Sequence, residues 1–329
     1  MNDGDLKTVP VLMSAWLSDH ARNRLQDTFN AVAIDEANPA LVSAALAGKI
    51  RGVAWTGKLP AVMMTALPRL EMVANFGVGY DGIDVAHAAG NDIMVTNTPD
   101  VLSEEVADTT IGLLLNVVRE LSAAERHLRD GAWAKDIDYR LTPLTMRGRS
   151  IGIFGLGRIG LAIAKRLEAF GVSIAYHNRR EVAAVAYPYY DTLIGLAAAV
   201  DTLIVVVPGG AATRKAVNAD VLAALGSKGV LINMGRGSIV DEDALIKALH
   251  AGTIAAAGLD VFENEPVIRQ DFLTTPNLVL LPHVGSASEH TRRAMADLCV
   301  DNLISWFSGK GALTPVAETS RLQPASRSG

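Results

Sequence analysis

Short aliphatic runs alternate with stretches of helical apolar spacing along almost the whole chain. In the first part the runs fall at residues 9–15, 31–34, 50–55, 70–76 and 93–96, and the helical pattern occupies 19–29, 39–47 and 61–67 between them. From residue 150 on, runs recur at 151–154, 172–176, 203–207, 230–233, 254–259 and 278–281, with helices after a glycine turn and from near Asp191, Asn218 and Asp241. Strand and helix in regular turn predict a parallel sheet in each part. A long helix is expected over 103–129, capped by Ser103, and a final one over 288–308 packs back on the first part. The tail 313–329, rich in Ser, Pro, Thr and Ala, is expected to have little fixed structure.

The run at 151–154 stops at Gly155-Leu156-Gly157-Arg158-Ile159-Gly160, which has the G-x-G-x-x-G spacing. Three glycines suit a chain that must turn sharply, approach a diphosphate closely and pack a new helix on its sheet. The helix that begins near Arg158 turns unpaired N–H groups and the positive end of its dipole toward that diphosphate. A second glycine-rich turn, LEMVANFGVGYDGID at 70–84, follows a strand of the first part, where backbone N–H groups can meet an anion. A plain turn explains it equally well.

Composition narrows the class. Half of the 329 residues are hydrophobic, enough for two cored domains, and aliphatic residues far outnumber aromatic ones, as buried parallel strands require. A net charge of −5 without a basic block argues against a nucleic-acid partner. The lone cysteine, Cys299, lies in a helical pattern and reads as core. With no basic-then-apolar leader and no membrane-length run, the expected location is the cytoplasm. No metal-ligand cluster is evident.

Three ionisable residues follow strands of the second part. Arg236, in a glycine-flanked turn, can pair with a carboxylate and polarise the adjacent carbonyl. His283 can protonate an oxygen as it becomes an alkoxide, and Glu265 can hold that imidazole in its tautomer and favour its charged form. All three belong at the sheet edge where the dinucleotide is expected.

Taken together, GLGRIG at 155–160, NMGRG at 233–237, DVFENEP at 260–266 and PHVGS at 282–286 resemble the D-isomer specific 2-hydroxyacid dehydrogenase family. The resemblance covers nearly everything from Val9 to Phe307. It implies an α/β fold with parallel sheets, in which a Rossmann dinucleotide-binding domain (102–287) is inserted into a flavodoxin-like substrate domain (1–101 and 288–329). It assigns Arg236 to substrate binding, Glu265 to the histidine, and His283 to general acid/base work. Val78 and Gly79 would bind the substrate carboxylate through their N–H groups. Gly155, Gly157, Arg158, Ile159, Gly160, Val207, Pro208, Thr213, Met234, Gly235, Asp260, His283 and Gly285 would line the coenzyme, with Asp260 near the nicotinamide amide. Family members are usually homodimers.

About twenty residues past the glycines, where NAD enzymes place an acid, stands Asn178, followed by Arg179 and Arg180. Loss of the carboxylate and two adjacent guanidiniums suit a 2′-phosphate, so NADP(H) is expected over NAD(H). His177 is a further candidate at the adenine end, and Trp55-Thr56-Gly57 a candidate border of the substrate pocket. YHNRR, NTPDVLSEEVAD and LPHVGSAS are most similar to NADPH-preferring glyoxylate/hydroxypyruvate reductases. Two alternatives stay open: an NAD-dependent dehydrogenase of a phosphoglycerate, lactate or hydroxyphenylpyruvate type substrate, and a non-catalytic, dinucleotide-sensing corepressor-like protein.

Overall fold

The computed structural model describes residues 6–183 and 185–323. The chain divides into two compact units, one of residues up to Leu102 with those from Ser288, the other of Ser103–Ala287.

In the first unit β1 (Pro10–Ser14), β2 (Asn30–Ile34), β3 (Gly52–Trp55), β4 (Met72–Asn75) and β5 (Met94–Thr96) form a sheet in the order β2-β1-β3-β4-β5. Every pairing is parallel. Helices α1 (Asp19–Thr28), α2 (Ala44–Ala47), α3 (Ala61–Thr65) and α4 (Val85–Gly90) make the crossovers. α1 starts where the Ser18 hydroxyl accepts the Ala21 N–H. β3 and β4 are buried throughout because both sheet faces are covered. Leu25 and Phe29 join Cys299, Leu303, Trp306 and Phe307 of the chain's last helix (Glu289–Phe307) in one core cluster. Burial pushes the Cys299 thiol up to about 12, which makes it an inert core residue.

Two expectations fail here, and a third holds only in part. Residues 39–47 form a single 3-10 turn, Pro39–Leu41, and then the short α2, not one helix. Of the stretch Trp55-Thr56-Gly57, Trp55 is core, 3% exposed, with its indole N–H on the Lys58 carbonyl, while Thr56 is half-buried and Gly57 exposed. The tail is ordered through Gln323: Pro315 bridges Thr96, and the Val316 N–H donates to the Val95 carbonyl at 2.9 Å. β5 is a sheet edge with unpaired backbone groups, and the tail covers it. The remainder of that expectation, 324–329, lies outside the described residues.

The second unit holds α5 (Ser103–Arg119), α6 (Leu121–Arg129), β6 (Ser150–Phe154), α7 (Arg158–Glu168), β7 (Ser173–His177), β8 (Tyr189–Tyr190), α8 (Leu193–Ala199), β9 (Thr202–Val205), α9 (Ala219–Leu225), β10 (Val230–Asn233), α10 (Glu242–His250), β11 (Ala256–Leu259) and β12 (Leu278–Leu280). Its sheet runs β12-β11-β10-β9-β6-β7-β8, parallel throughout. Leu196, Leu203, Leu222, Leu231, Leu245 and Leu259 fill a core on it. Because β6 pairs with both β7 and β9, the winding reverses at β6, the point beyond whose strand ends sheets of this kind bind their ligands. The long helix expected over 103–129 is two, broken at Glu120, whose φ is 53°. Ser103 is the first helical residue and not the cap. No helix among the described residues is long and apolar enough to cross a membrane.

Candidate active site

At the reversal point the glycine turn joins β6 to α7. Gly155 has φ 109°, and a Cβ there would stand 2.8 Å from the Val207 side chain and 2.9 Å from the Val206–Val207 backbone. A Cβ on Gly160 would lie 2.3 Å from the Gly155 carbonyl oxygen, so this glycine lets helix and turn close on each other. At Gly157, the cap of α7, an added Cβ would meet nothing within 4 Å. The turn therefore has an open side at a helix start whose first N–H groups have no acceptor within the helix, which fits a dinucleotide diphosphate.

Asn178, just past β7, accepts the Leu156 N–H at 2.7 Å and donates to the Leu156 carbonyl at 3.3 Å. An aspartate could make only the first bond and would place its charge against that carbonyl. Arg179 and Arg180 are exposed, and among the described residues neither makes an ion pair or hydrogen bond. His177 stacks on Phe154 and bonds the Tyr190 carbonyl through Nδ1 at 2.8 Å. Across the reversal point, Thr213 closes the loop after β9 by donating to the Pro208 carbonyl at 2.7 Å.

β10, β11 and β12 bring the ionisable set to the same edge. After β10 the Asn233 side chain accepts the Gly235 N–H and donates to the Arg236 carbonyl, which fixes the turn that carries Arg236. A Cβ on Gly237 would sit 1.8 Å from the Phe262 carbonyl carbon, so the Arg236 turn packs directly on the loop that carries Glu265. Glu265 accepts the Phe262 N–H at 2.8 Å with one oxygen and meets His283 Nδ1 at 2.6 Å with the other. Burial alone would raise this carboxyl. The hydrogen bonds from His283 and Phe262, with the nearby positive charges of His283 and Arg236, outweigh it and hold the group below the ordinary carboxylate range.

Sequence reasoning missed what positions His283. Asp260 is 2% exposed and accepts the Val284 and Gly285 N–H groups at 2.7 and 2.8 Å, while its own carbonyl accepts the His283 N–H at 2.9 Å. The His283 backbone is held at φ 53° by this one residue. A Cβ on Gly285 would stand 2.9 Å from the Asp260 carboxylate and 3.1 Å from Met234, so the loop admits no larger residue. The side chain expected near the nicotinamide thus has both oxygens engaged by the loop that carries His283. An acidic residue directly after a strand, 23 residues before a histidine in a Pro-His turn, carries no sequence signal for that contact.

Val78 and Gly79 lie in the first unit, after β4. Asn75 Nδ2 donates to the carbonyls of Gly77 and Gly79, both at 3.0 Å, and Asn97 Nδ2 to that of Val78 at 2.9 Å.

The second unit is thus a Rossmann-type dinucleotide domain of an oxidoreductase, with Arg236, Glu265 and His283 following the strands at one edge of its sheet. The family model described as D-isomer specific 2-hydroxyacid dehydrogenase, NAD binding domain, matches residues 111–285. A glyoxylate/hydroxypyruvate reductase of Arabidopsis thaliana is 45% identical over 314 residues, 94% of this chain and 100% of that one. A hydroxyphenylpyruvate reductase of Plectranthus scutellarioides is 48% identical over 256 residues, 78% and 81% of the two chains. The crystal structure of an NADPH-dependent glyoxylate/hydroxypyruvate reductase from Sinorhizobium meliloti, in complex with NADP and malonate, matches with a TM-score of 0.93 at 60% identity, covering 95% and 98%. The chain belongs to the D-isomer specific 2-hydroxyacid dehydrogenase family.

Proposed function

We propose that this protein reduces a small 2-oxo acid of the glyoxylate or hydroxypyruvate type to the D-2-hydroxy acid, with NADPH as preferred reductant. The observation that carries the reading is the His283–Glu265 pair at 2.6 Å, on the coenzyme edge and within the electrostatic reach of Arg236. The reduced nicotinamide supplies hydride to the carbonyl carbon when bound along the glycine turn. With Nδ1 on Glu265, His283 has Nε2 to give a proton to the carbonyl oxygen. Arg236 pairs with the carboxylate and orients the substrate. The N–H groups of Val78 and Gly79 are its further carboxylate donors. Gly155, Gly157, Arg158, Ile159, Gly160, Val207, Pro208, Thr213, Met234, Gly235 and Gly285 are assigned to the coenzyme.

Relatives support the substrate class: the Arabidopsis and Sinorhizobium proteins are named for glyoxylate and hydroxypyruvate, and the latter is NADPH-dependent. Two unpaired arginines beside an uncharged Asn178 support the same coenzyme here. The test is oxidation of NADPH and NADH by the purified protein with glyoxylate, hydroxypyruvate, pyruvate and phenylpyruvate. NADPH should be preferred, and Arg179→Ala with Arg180→Ala should raise its KM about tenfold or more while NADH is little affected. Turnover with NADH alone would sink the phosphate-site assignment, and no turnover at all would sink the enzyme reading.

Glu265→Gln tests the pair. Glu265 stays ionised below the usual carboxylate range, so reduction in the wild type should persist as pH falls until that carboxyl protonates. Without the carboxylate the imidazole loses the partner that fixes its Nδ1, so Glu265→Gln should lower kcat for reduction about tenfold or more while NADPH binding stays little changed. A kcat within about twofold of the wild type contradicts the pairing role.

A homodimer in the cytoplasm completes the reading. It is supported by α6, which buries none of its residues, and by the exposed Leu121, Leu128, Trp133, Ile137 and Leu141. Leu128→Asp with Trp133→Asp should convert a dimer to a monomer in sedimentation velocity. A wild type that sediments as a monomer rules the dimer out.

A further inference from the structure

The loop Gly77-Val78-Gly79 is held by its carbonyls. Asn75, 3% exposed, donates from one nitrogen to the Gly77 and Gly79 carbonyls. Asn97 takes the Val78 carbonyl, and the Thr98 N–H also takes that of Gly77 at 3.0 Å. A trans peptide plane points its N–H opposite its C=O. With the Gly77 and Val78 carbonyls tied inward, the N–H groups of Val78 and Gly79 are turned outward, and among the described residues neither has an acceptor. Two successive outward N–H groups form an anion-binding concavity.

What holds Asn97 comes from the far end of the chain. The Thr314 carbonyl accepts the Asn97 N–H at 3.3 Å, and the Thr314 hydroxyl donates to the Asn97 carbonyl at 2.6 Å. Thr314 is in turn gripped by Asn302 of the last helix, which is fully buried. Asn302 Oδ1 accepts the Leu313 and Thr314 N–H groups, each at 3.0 Å, and its Nδ2 donates to the Thr314 hydroxyl at 2.9 Å and to the Leu298 carbonyl at 2.8 Å. All four hydrogen-bonding capacities of that amide are spent, three of them on residues 313 and 314. Flanking bonds fix the same strip: Val316 and Thr319 both bond the Val95 backbone.

We propose that Thr314 is a positioning residue for substrate: held by Asn302, it sets Asn97, and Asn97 with Asn75 keeps the Val78 and Gly79 N–H groups turned to the substrate carboxylate. This rests on the carboxylate-binding reading of that loop given above.

The test is Thr314→Val, which keeps the shape and removes the hydroxyl, beside Thr314→Ser, which restores it. Losing the hydroxyl's bonds to the Asn97 carbonyl and to Asn302 Nδ2 should raise the KM for hydroxypyruvate about five- to tenfold, with kcat and the KM for NADPH little changed. Thr314→Ser should return it close to wild type. Should Thr314→Val fail to fold, Thr314→Ala reads the same KM without the added methyl. The loop itself is read by hydrogen exchange of the 76–82 segment in the NADP+-loaded wild type, with and without oxamate, a carboxylate beside a carbonyl. Protection by oxamate that is weakened in Thr314→Val supports the proposal. Protection in the wild type with an unchanged KM in Thr314→Val, or losses in Thr314→Ser equal to those in Thr314→Val, overturns the role of Thr314 alone. No protection in the wild type overturns the carboxylate reading and the proposal with it.

Discussion

His283→Asn is expected to lower kcat for glyoxylate or hydroxypyruvate reduction about 10³-fold while NADPH binding, read by fluorescence titration, stays nearly unchanged. The magnitude is that of a lost general acid. The selectivity follows from how the residue is held. The backbone of His283 is fixed by the Asp260 carbonyl, and the next two N–H groups by the Asp260 carboxylate, so the loop does not depend on the imidazole for its shape. Among residues that keep a side chain, asparagine is one of the few that tolerate the left-handed φ of 53°. A fall of only a few-fold, or an equal loss of NADPH binding, would show that the imidazole is not the proton donor.

The elements that held up are those whose cause is local. GLGRIG between two aliphatic runs predicts strand, turn and helix from the sizes of its residues, and Gly155 and Gly160 stand where a Cβ would collide. The placement of Arg236, Glu265 and His283 after strands of one sheet was legible because parallel strands deliver whatever follows them to one edge. The misses have long-range or single-residue causes. Nothing in the composition of 103–129 marks Glu120 as the point where φ turns positive. β8 has two residues, too few for a period. The tail looks unstructured in composition, yet Pro315, Val316 and Thr319 are fixed by β5, more than 200 residues earlier in the chain. Asn178 was read for the charge it lacks, whereas the structure also gives its amide a two-way bond to Leu156, which only the folded turn reveals.

Arg236→Gln is expected to lower kcat/KM for a 2-oxo acid about 10³-fold, with Arg236→Lys between it and the wild type. Two charge-assisted hydrogen bonds to a carboxylate, at about 2 kcal/mol each, correspond to that factor. Lysine keeps the charge but not the planar fork. The turn should survive, because Asn233 and the Gly237–Phe262 contact build it from backbone groups. A second effect has a defined sign. Arg236 is one of the charges that hold Glu265 below the ordinary range, so without it that carboxyl protonates at higher pH and the acid-side fall in activity should begin at higher pH. Methylglyoxal, which has an aldehyde in place of the carboxylate, separates binding from structure. The wild type should lose a comparable factor on moving from pyruvate to methylglyoxal, and Arg236→Gln should cost little more with that substrate, as expected when the deleted guanidinium and the deleted carboxylate are partners. If Arg236→Gln slows methylglyoxal as much as pyruvate, the guanidinium supports the fold of the site and does not bind the substrate.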